Sequence, residues 1–538
     1  MVFIAMTAKA GTEQKDGERG GRQHAGPLLA QPVRVTEVAK RGAEDRPHDL
    51  ALISMESVWS WADLERKTTN LAREYLELGL KPGDRVASLM PNRSALIAHY
   101  IACFKAGLVA TPLNYRYTTP EIDHALEVSD AAIILAHAER AGEIAGSKAG
   151  TLPLGVISYG APGSSGPNLE TLLAGTAPEI MLPDPPSDAP AAIFFTSGST
   201  GPAKGVTHTY NSLGWMFASA ASAFEFGPQD IVLPASSCTH IGGFTFAMAS
   251  LAAGARLVIA RAFDHEEIGP LLRTTRPTVL SMLPTVLLHL IREHDMSPED
   301  FSSLRLCRSG GDKVPAELEK EFMALARQTV SEGYGMTEIG LAALNPPSGV
   351  DKLGSIGLPS PGFEFSLRSD DGRDLPENQE GRLWVRTPSL SAGYWNDQAA
   401  TAEVRSGEWF DTGDEMKIDQ DGYLWFRGRK KQIIVHDGSN ICPQEVEEAL
   451  LEHPAVETAG VVGIHDLMHG ENVRAYVSLK PGAERPKAGA LIQFAKARVG
   501  YKAPEEIVVL ESMPLNPTGK VDRTALKKLA AGDHAHHV

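Results

Sequence analysis

The feature that most restricts the fold is a repeated alternation of short apolar runs with helical patterns. Arg85 to Met90, Ala131 to Ala136, Ala191 to Phe195, Ile231 to Pro234, Ala255 to Ala260, Thr278 to Leu283 and Leu304 to Cys307 each read as a buried strand. Several are separated by stretches of helical periodicity, such as Glu266 to Thr275 and Thr285 to His294. Strands apolar on both faces need cover on both, so this order predicts α/β architecture with parallel sheets covered by helices. Upstream, Trp61, Leu64, Leu71, Tyr75 and Leu78 recur at helical spacing before Gly79, which predicts an amphipathic helix with a glycine stop.

After about Val435 the pattern becomes smaller in scale. A helix over Pro443 to Leu451, strands near Gly460 to Ile464 and Val473 to Leu479, a helix around Ala488 to Arg498, a strand at Ile507 to Leu510 and a last helix from Asp522 suffice for a separate α+β domain. At 538 residues the chain exceeds what one hydrophobic core usually supports, so at least two domains are expected.

A formal net charge of −16 argues against nucleic acid or an anionic membrane surface as the main partner, while leaving room for anionic ligands in a locally basic cleft. Cys103, Cys238, Cys307 and Cys442 stand singly, without the spacing of a zinc site or a disulfide framework, and are read as reduced thiols of a cytoplasmic enzyme. No apolar run approaches the length of a membrane span. The first residues are read as a disordered leader, and the histidines of Asp533-His534-Ala535-His536-His537 as solvated.

The chemistry begins at Thr196-Ser197-Gly198-Ser199-Thr200-Gly201-Pro202-Ala203-Lys204-Gly205, which follows the apolar run ending at Phe195. Glycines let backbone N–H groups turn toward an anion, hydroxyls donate to its oxygens, and a lysine supplies a point charge. The lysine is followed by glycine and the hydroxyls precede it, so the loop is not a Walker A motif. Alone it could equally be a turn with no ligand. Four further segments follow in order: Tyr334-Gly335-Met336-Thr337-Glu338, Trp409-Phe410-Asp411-Thr412-Gly413-Asp414, Gly428-Arg429-Lys430-Lys431 and Pro514-Leu515-Asn516-Pro517-Thr518-Gly519-Lys520. Together with the loop they resemble the adenylate-forming, AMP-binding superfamily, in its acyl-CoA synthetase and fatty-acid–CoA ligase form. The resemblance runs from about Trp61 to about Leu529.

That resemblance implies ATP, Mg2+ and coenzyme A as co-substrates and a small-molecule carboxylic acid as the partner, with no nucleic acid and no membrane span; a homodimer is left open. It implies a leader over 1–30, a large N-terminal AMP-binding domain of helix-covered sheets over 31–428, a hinge at 429–431 and a smaller mobile C-terminal domain over 432–538. Thr196, Ser197, Gly198, Ser199, Thr200, Gly201 and Lys204 would hold the outer phosphates, and Thr200 and Glu338 would share the magnesium ion, a hard cation that bridges phosphate oxygens. Tyr334 would stack on adenine, with Gly310 and Gly311 passing along the same ring and Gly335, Met336 and Thr337 completing that wall. Asp414 would accept from the ribose hydroxyls, with Arg429 approaching the sugar from the hinge side. Lys520 would bridge the attacking carboxylate and the α-phosphate, Lys431 would be the hinge residue, and Gly438 would line the pantetheine tunnel.

His240 matches the family histidine beside the acyl carbonyl. Between Cys238 and Ala255 there is no Asp, Glu, Lys or Arg, which suits an uncharged acyl or aryl group and argues against an amino-acid substrate. Ala203, Tyr210, Arg382 and Asp437 depart from the family pattern, the last placing a negative charge near the tunnel. The reaction expected is ATP-dependent ligation of an apolar acid to CoA through an acyl-adenylate. Its rivals are loading of a carrier-protein pantetheine and a catalytically silent nucleotide-binding homologue.

Overall fold

The helix expected from Trp61 spans Trp61–Glu77 in the computed structural model, and local chemistry explains its start. Ser60 accepts from Asp63 N at 3.1 Å while the Asp63 carboxylate accepts from Ser60 N at 3.3 Å, a reciprocal cap of the kind worth about 1 kcal/mol. Trp61, Leu64, Leu71 and Tyr75 are buried along one stripe, and Gly79 turns the chain away at a φ of +96°. The structure describes residues 24–533 apart from 162–165, 197–202, 262–263, 311–313, 315, 430–431, 433, 437–438, 467–469 and 517–518.

The apolar runs form parallel sheets as predicted, divided between two sheets. In the seven-stranded sheet, Arg85–Leu89 lies between Val109–Pro112 and Ile133–His137, and Val109–Pro112 pairs in turn with Pro190–Phe195, all parallel. In the nine-stranded sheet, Arg256–Ile259, Ile231–Pro234, Val279–Met282, Leu306–Gly310 and Val330–Met336 are successive parallel neighbours. Antiparallel pairing begins where Pro190–Phe195 meets Gly205–Thr209 in the first sheet, and where Val330–Met336 meets Gly340–Leu344 and Leu50–Ser54 meets Val58–Ser60 at the two ends of the second. The helices Ser94–Lys105, Tyr210–Ala223 and Ile241–Ala252 share one core with residues of both sheets. Every residue of Ser94–Lys105 is buried, which is why that stretch shows no amphipathic stripe.

A third, six-stranded sheet goes beyond the parallel sheets expected from the sequence: it is antiparallel, built on Glu364–Arg368, Glu380–Arg386, Trp409–Ile418 and Leu424–Arg429. Its signal is period two, since burial alternates along Glu380–Arg386, but the solvent side carries Glu, Arg and Lys and so breaks the apolar runs. His24–Ala25 adds to its edge opposite Phe365 and Glu364, and Gly26 N donates to Phe363 O at 2.8 Å. Within the stretch expected as leader, His24 to Pro27 is paired backbone, since Gly362 N also donates to Pro27 O at 2.8 Å. From Ile434 onward, a five-stranded sheet carries the helices Pro443–Leu451, Ala488–Val499 and Arg523–Asp533 around cores that draw only on that part of the chain.

Candidate active site

The phosphate-loop segment closes a β-hairpin. Phe195 stands opposite Gly205, Thr196 N donates to Lys204 O at 3.0 Å, and His124 Nε2 hydrogen-bonds Ala203 O at 2.8 Å. The next element is the strand Gly205–Thr209, and a positive charge stands just before it. Lys204 supplies it, with Nζ 5.0 Å from the centre of the Tyr394 ring. Ser197, Gly198, Ser199, Thr200 and Gly201 lie outside the described residues, as do Gly311, Lys431 and Gly438.

Gly393–Tyr394 adds a short antiparallel strand beside Gly205–Thr209, and this delivers Tyr394 to Glu338. The Tyr394 hydroxyl donates to Glu338 Oε1 at 2.9 Å; burial, and then the Glu338 charge, hold its pKa far above the usual phenol value. Glu338 is 7% exposed, and its backbone carbonyl accepts from Ser391 N at 2.8 Å. One residue earlier, the Thr337 carbonyl meets the buried His208 Nε2 at 2.8 Å. Tyr394 and His208 escaped the sequence reading. The only trace of Tyr394 is its Gly-Tyr-Trp context, and nothing along the chain ties it to Glu338.

The groups expected to face the nucleotide include a second pair. Tyr334, near the end of Val330–Met336, donates its hydroxyl to Asp414 Oδ2 at 2.6 Å, and Asp414 is 1% exposed. Gly310 stands opposite Gly333 in the adjoining parallel strand, which brings it alongside Tyr334. Gly335 begins a register shift against Gly340–Leu344, where a Cβ would lie 2.3 Å from Gly340 O, and Met336 stands opposite Gly340. Asp414 is aimed by the turn before it: Thr412 Oγ1 donates to Leu383 O at 2.8 Å and accepts from Asp414 N at 3.1 Å. Asp411 Oδ1 accepts from Gly413 N at 2.9 Å and from Arg382 Nε at 2.6 Å, so Arg382, a departure from the family pattern, holds this turn. The Arg429 backbone stands opposite Asp414 in the next strand.

His240 precedes the helix Ile241–Ala252, whose residues other than Gly242 and Ala252 are all buried. The loop before that helix is clasped by the buried Asn92, which accepts from Cys238 N at 2.8 Å and donates to Ser236 O at 2.8 Å and Ala260 O at 3.1 Å. Burial pushes His240 down to about 4, and the charges of Lys520 and Arg116 act in the same direction. The charge of Lys520, from the far end of the chain, thus acts on His240. Its loop is tight: Asn516 N donates to Lys520 O at 2.7 Å, Lys520 N donates to Asn516 Oδ1 at 3.0 Å, and Gly519 has a φ of +86°.

Three buried histidines carry a consequence for acid stability. Burial lowers His99 to about 3, and His208 and His240 to about 4. Each has a folded pKa below its unfolded value near 6.5, so the unfolded chain binds more protons in that interval. The stability they contribute is complete above about pH 6.5 and is lost as pH falls toward 4. We expect the thermal midpoint to be flat from pH 7 to 8 and to fall steadily from pH 6.5 to 4. An unchanged midpoint at pH 4.5 would show that these imidazoles are not held neutral.

Comparison with known proteins agrees with this geometry. The AMP-binding enzyme family matches residues 39–395 and the AMP-binding enzyme C-terminal domain matches residues 445–520. A feruloyl-CoA synthase of Amycolatopsis is 32% identical over 488 residues, covering 89% of this chain and 96% of its own. ATP-bound MatB from Rhodopseudomonas palustris superposes with a TM-score of 0.84 at 28% identity over 92% of this chain and 98% of its own. The o-succinylbenzoate CoA synthetase MenE of Bacillus subtilis, in complex with its acyl-adenylate intermediate, gives 0.81 at 29% identity over 93% and 99%. With both family regions matched in order, the chain belongs to the AMP-binding enzyme family.

Proposed function

We propose that this AMP-forming acyl-CoA ligase activates an uncharged acyl or aryl monocarboxylic acid, using ATP, Mg2+ and coenzyme A. The observation that carries the reading is that the Lys520 charge, from the far end of the chain, acts on His240 at the head of a helix without charged residues, while Glu338 pairs with Tyr394 and Tyr334 with Asp414. Glu338, a buried carboxylate joined to a tyrosine that Lys204 overlies, fits a hard cation, and with Thr200 it would hold Mg2+ against the phosphates. When bound, that ion offsets phosphate charge. Lys204 and the loop from Thr196 to Gly201 orient the outer phosphates, Gly310, Gly311 and the stretch Tyr334 to Thr337 enclose the adenine, and Asp414 and Arg429 fix the ribose. Lys520 holds the carboxylate against the α-phosphorus as pyrophosphate departs.

Thioester formation needs room where Lys520 stands. Rotation about Lys431, between parts 31–428 and 432–538 of the chain, would withdraw Lys520 and present Gly438 to the incoming pantetheine. Among the described residues no helix is long and apolar enough to cross a membrane. Burial holds the thiols of Cys103, Cys238 and Cys307 above their usual pKa, which accords with a cytoplasmic enzyme whose cysteines are structural.

ATP–pyrophosphate exchange across a panel of acids, followed by release of acyl-CoA from free CoA, tests the reading. Exchange with no acid in the panel would return the silent homologue, and acyl transfer to a carrier protein but not to CoA would return the carrier-loading enzyme. The helix wall adds a prediction of its own. A monocarboxylic acid is expected to be used with a much higher kcat/KM than a dicarboxylic acid of equal length, whose second carboxylate would lose its water without gaining a partner. The fixed cations acting on His240 are Lys520 and Arg116, both outside that helix. Equal kcat/KM for the two acids would refute the uncharged wall and point to Arg116 as a counter-charge.

A further inference from the structure

Away from the phosphate and ribose pairs, three histidines meet on a cleft of about 450 Å3 that Tyr115, Arg116 and Arg261 also line. His265 opens the helix His265–Thr275, His289 lies in the helix Pro284–Glu293, and His294 immediately follows it. Their ring centres are 4.3 Å apart for His265 and His289, 4.7 Å for His265 and His294, and 5.3 Å for His289 and His294. One nitrogen from each lies within 4.8 Å of the other two. Two further observations concern what the cluster could hold. The Nδ1 of His265 is sealed from solvent and has no hydrogen-bond partner, whereas a buried imidazole nitrogen normally has one. On the other side, His289 Nδ1 lies 3.0 Å from Glu293 Oε1, one helical turn on. That carboxylate fixes the tautomer and turns the Nε2 lone pair outward, as the supporting acid of a metal-bound histidine does.

We propose that His265, His289 and His294 bind one divalent transition-metal ion of the Zn2+ class, at a site separate from the Mg2+ that accompanies ATP. Imidazole suits Zn2+ and its neighbours, whereas Mg2+ takes oxygen in near-octahedral geometry, so the two sites select different ions. Three protein nitrogens at 2.0–2.1 Å leave a tetrahedral ion one open position, and here that position faces the cleft. Tetrahedral bonds of that length set nitrogens about 3.3 Å apart, so the half-exposed rings rotate inward on binding. The ion cross-links the helices that follow Arg256–Ile259 and Val279–Met282, the two strands on either side of Ile231–Pro234 in the nine-stranded sheet.

The test uses the untagged full chain, stripped with a chelator and titrated with Co2+ and then Zn2+. The result expected is one Co2+ per chain, with the intense visible bands of tetrahedral cobalt, displaced by Zn2+ and accompanied by a higher thermal midpoint. Glu293 is 60% exposed, so Glu293→Gln leaves the fold intact and is expected to weaken binding about 10–100-fold. His289→Asn is expected to abolish the bands. Because His534, His536 and His537 could also bind metal, a chain with those three replaced by asparagine serves as a control and should keep the bands. Absence of the bands, their survival in His289→Asn, an unchanged affinity in Glu293→Gln, or their loss with the tail histidines alone would each overturn the proposal.

Discussion

Lys520→Ala is expected to slow acid-dependent ATP–pyrophosphate exchange by about 10²–10³-fold or more, the range for removing one group that stabilises charge in a transition state. The same variant should convert a supplied acyl-adenylate to thioester at close to the wild-type rate. Lys520 is exposed, and the Glu338–Tyr394 and Tyr334–Asp414 pairs are made without it. Single-turnover measurement of the two half-reactions decides the matter. Equal loss in both would mean that Lys520 is not specific to adenylation, and would also remove the reason for a rotation about Lys431.

The second large effect belongs to Asp414. If it accepts from both ribose hydroxyls, Asp414→Ala forfeits two hydrogen bonds to a charged group, each worth about 1.5–3 kcal/mol, or about 10²–10⁴-fold together. The loss should fall on kcat/KM for ATP and be much smaller in KM for the acid. A stability cost accompanies it, since the Tyr334 hydroxyl loses its 2.6 Å acceptor. Asp414→Asn keeps the shape without the charge and is expected to fall between. An alanine variant with unchanged KM for ATP would show that Asp414 serves only to hold Tyr334.

Much of this could be read along the chain because it is local. The Trp61 helix announces itself by its stripe and stop, and the parallel strands by uninterrupted apolar runs, since both faces are covered. Motif residues such as Lys204, Glu338 and Lys520 stand in contiguous segments, so their chemistry shows without a fold. The remainder depends on strand register between distant segments. Tyr394 reaches Glu338 only because Gly393–Tyr394 pairs with Gly205–Thr209, and Arg382 reaches Asp411 only across a bulged antiparallel ladder. Period-two strands with charged outer faces gave too weak an apolar signal for that ladder to be foreseen. Asn92 was hidden for the opposite reason, since a lone buried amide carries no pattern at all.

The Asn92 clasp separates two jobs that a pocket usually mixes. By tying the loop ahead of His240 to the strand ends at Ser236 and Ala260, it sets the imidazole's position from the sheet side. The helix behind His240 is held by a different set of contacts, Phe244 against Tyr100, Phe104, Phe194 and Phe217, and Phe246 against Phe224 and Phe226, so a change on that aromatic face is borne by the core while the loop keeps its ties to the sheet. For a designer the loop and the helix are two fittings with separate fixings, one polar and one aromatic.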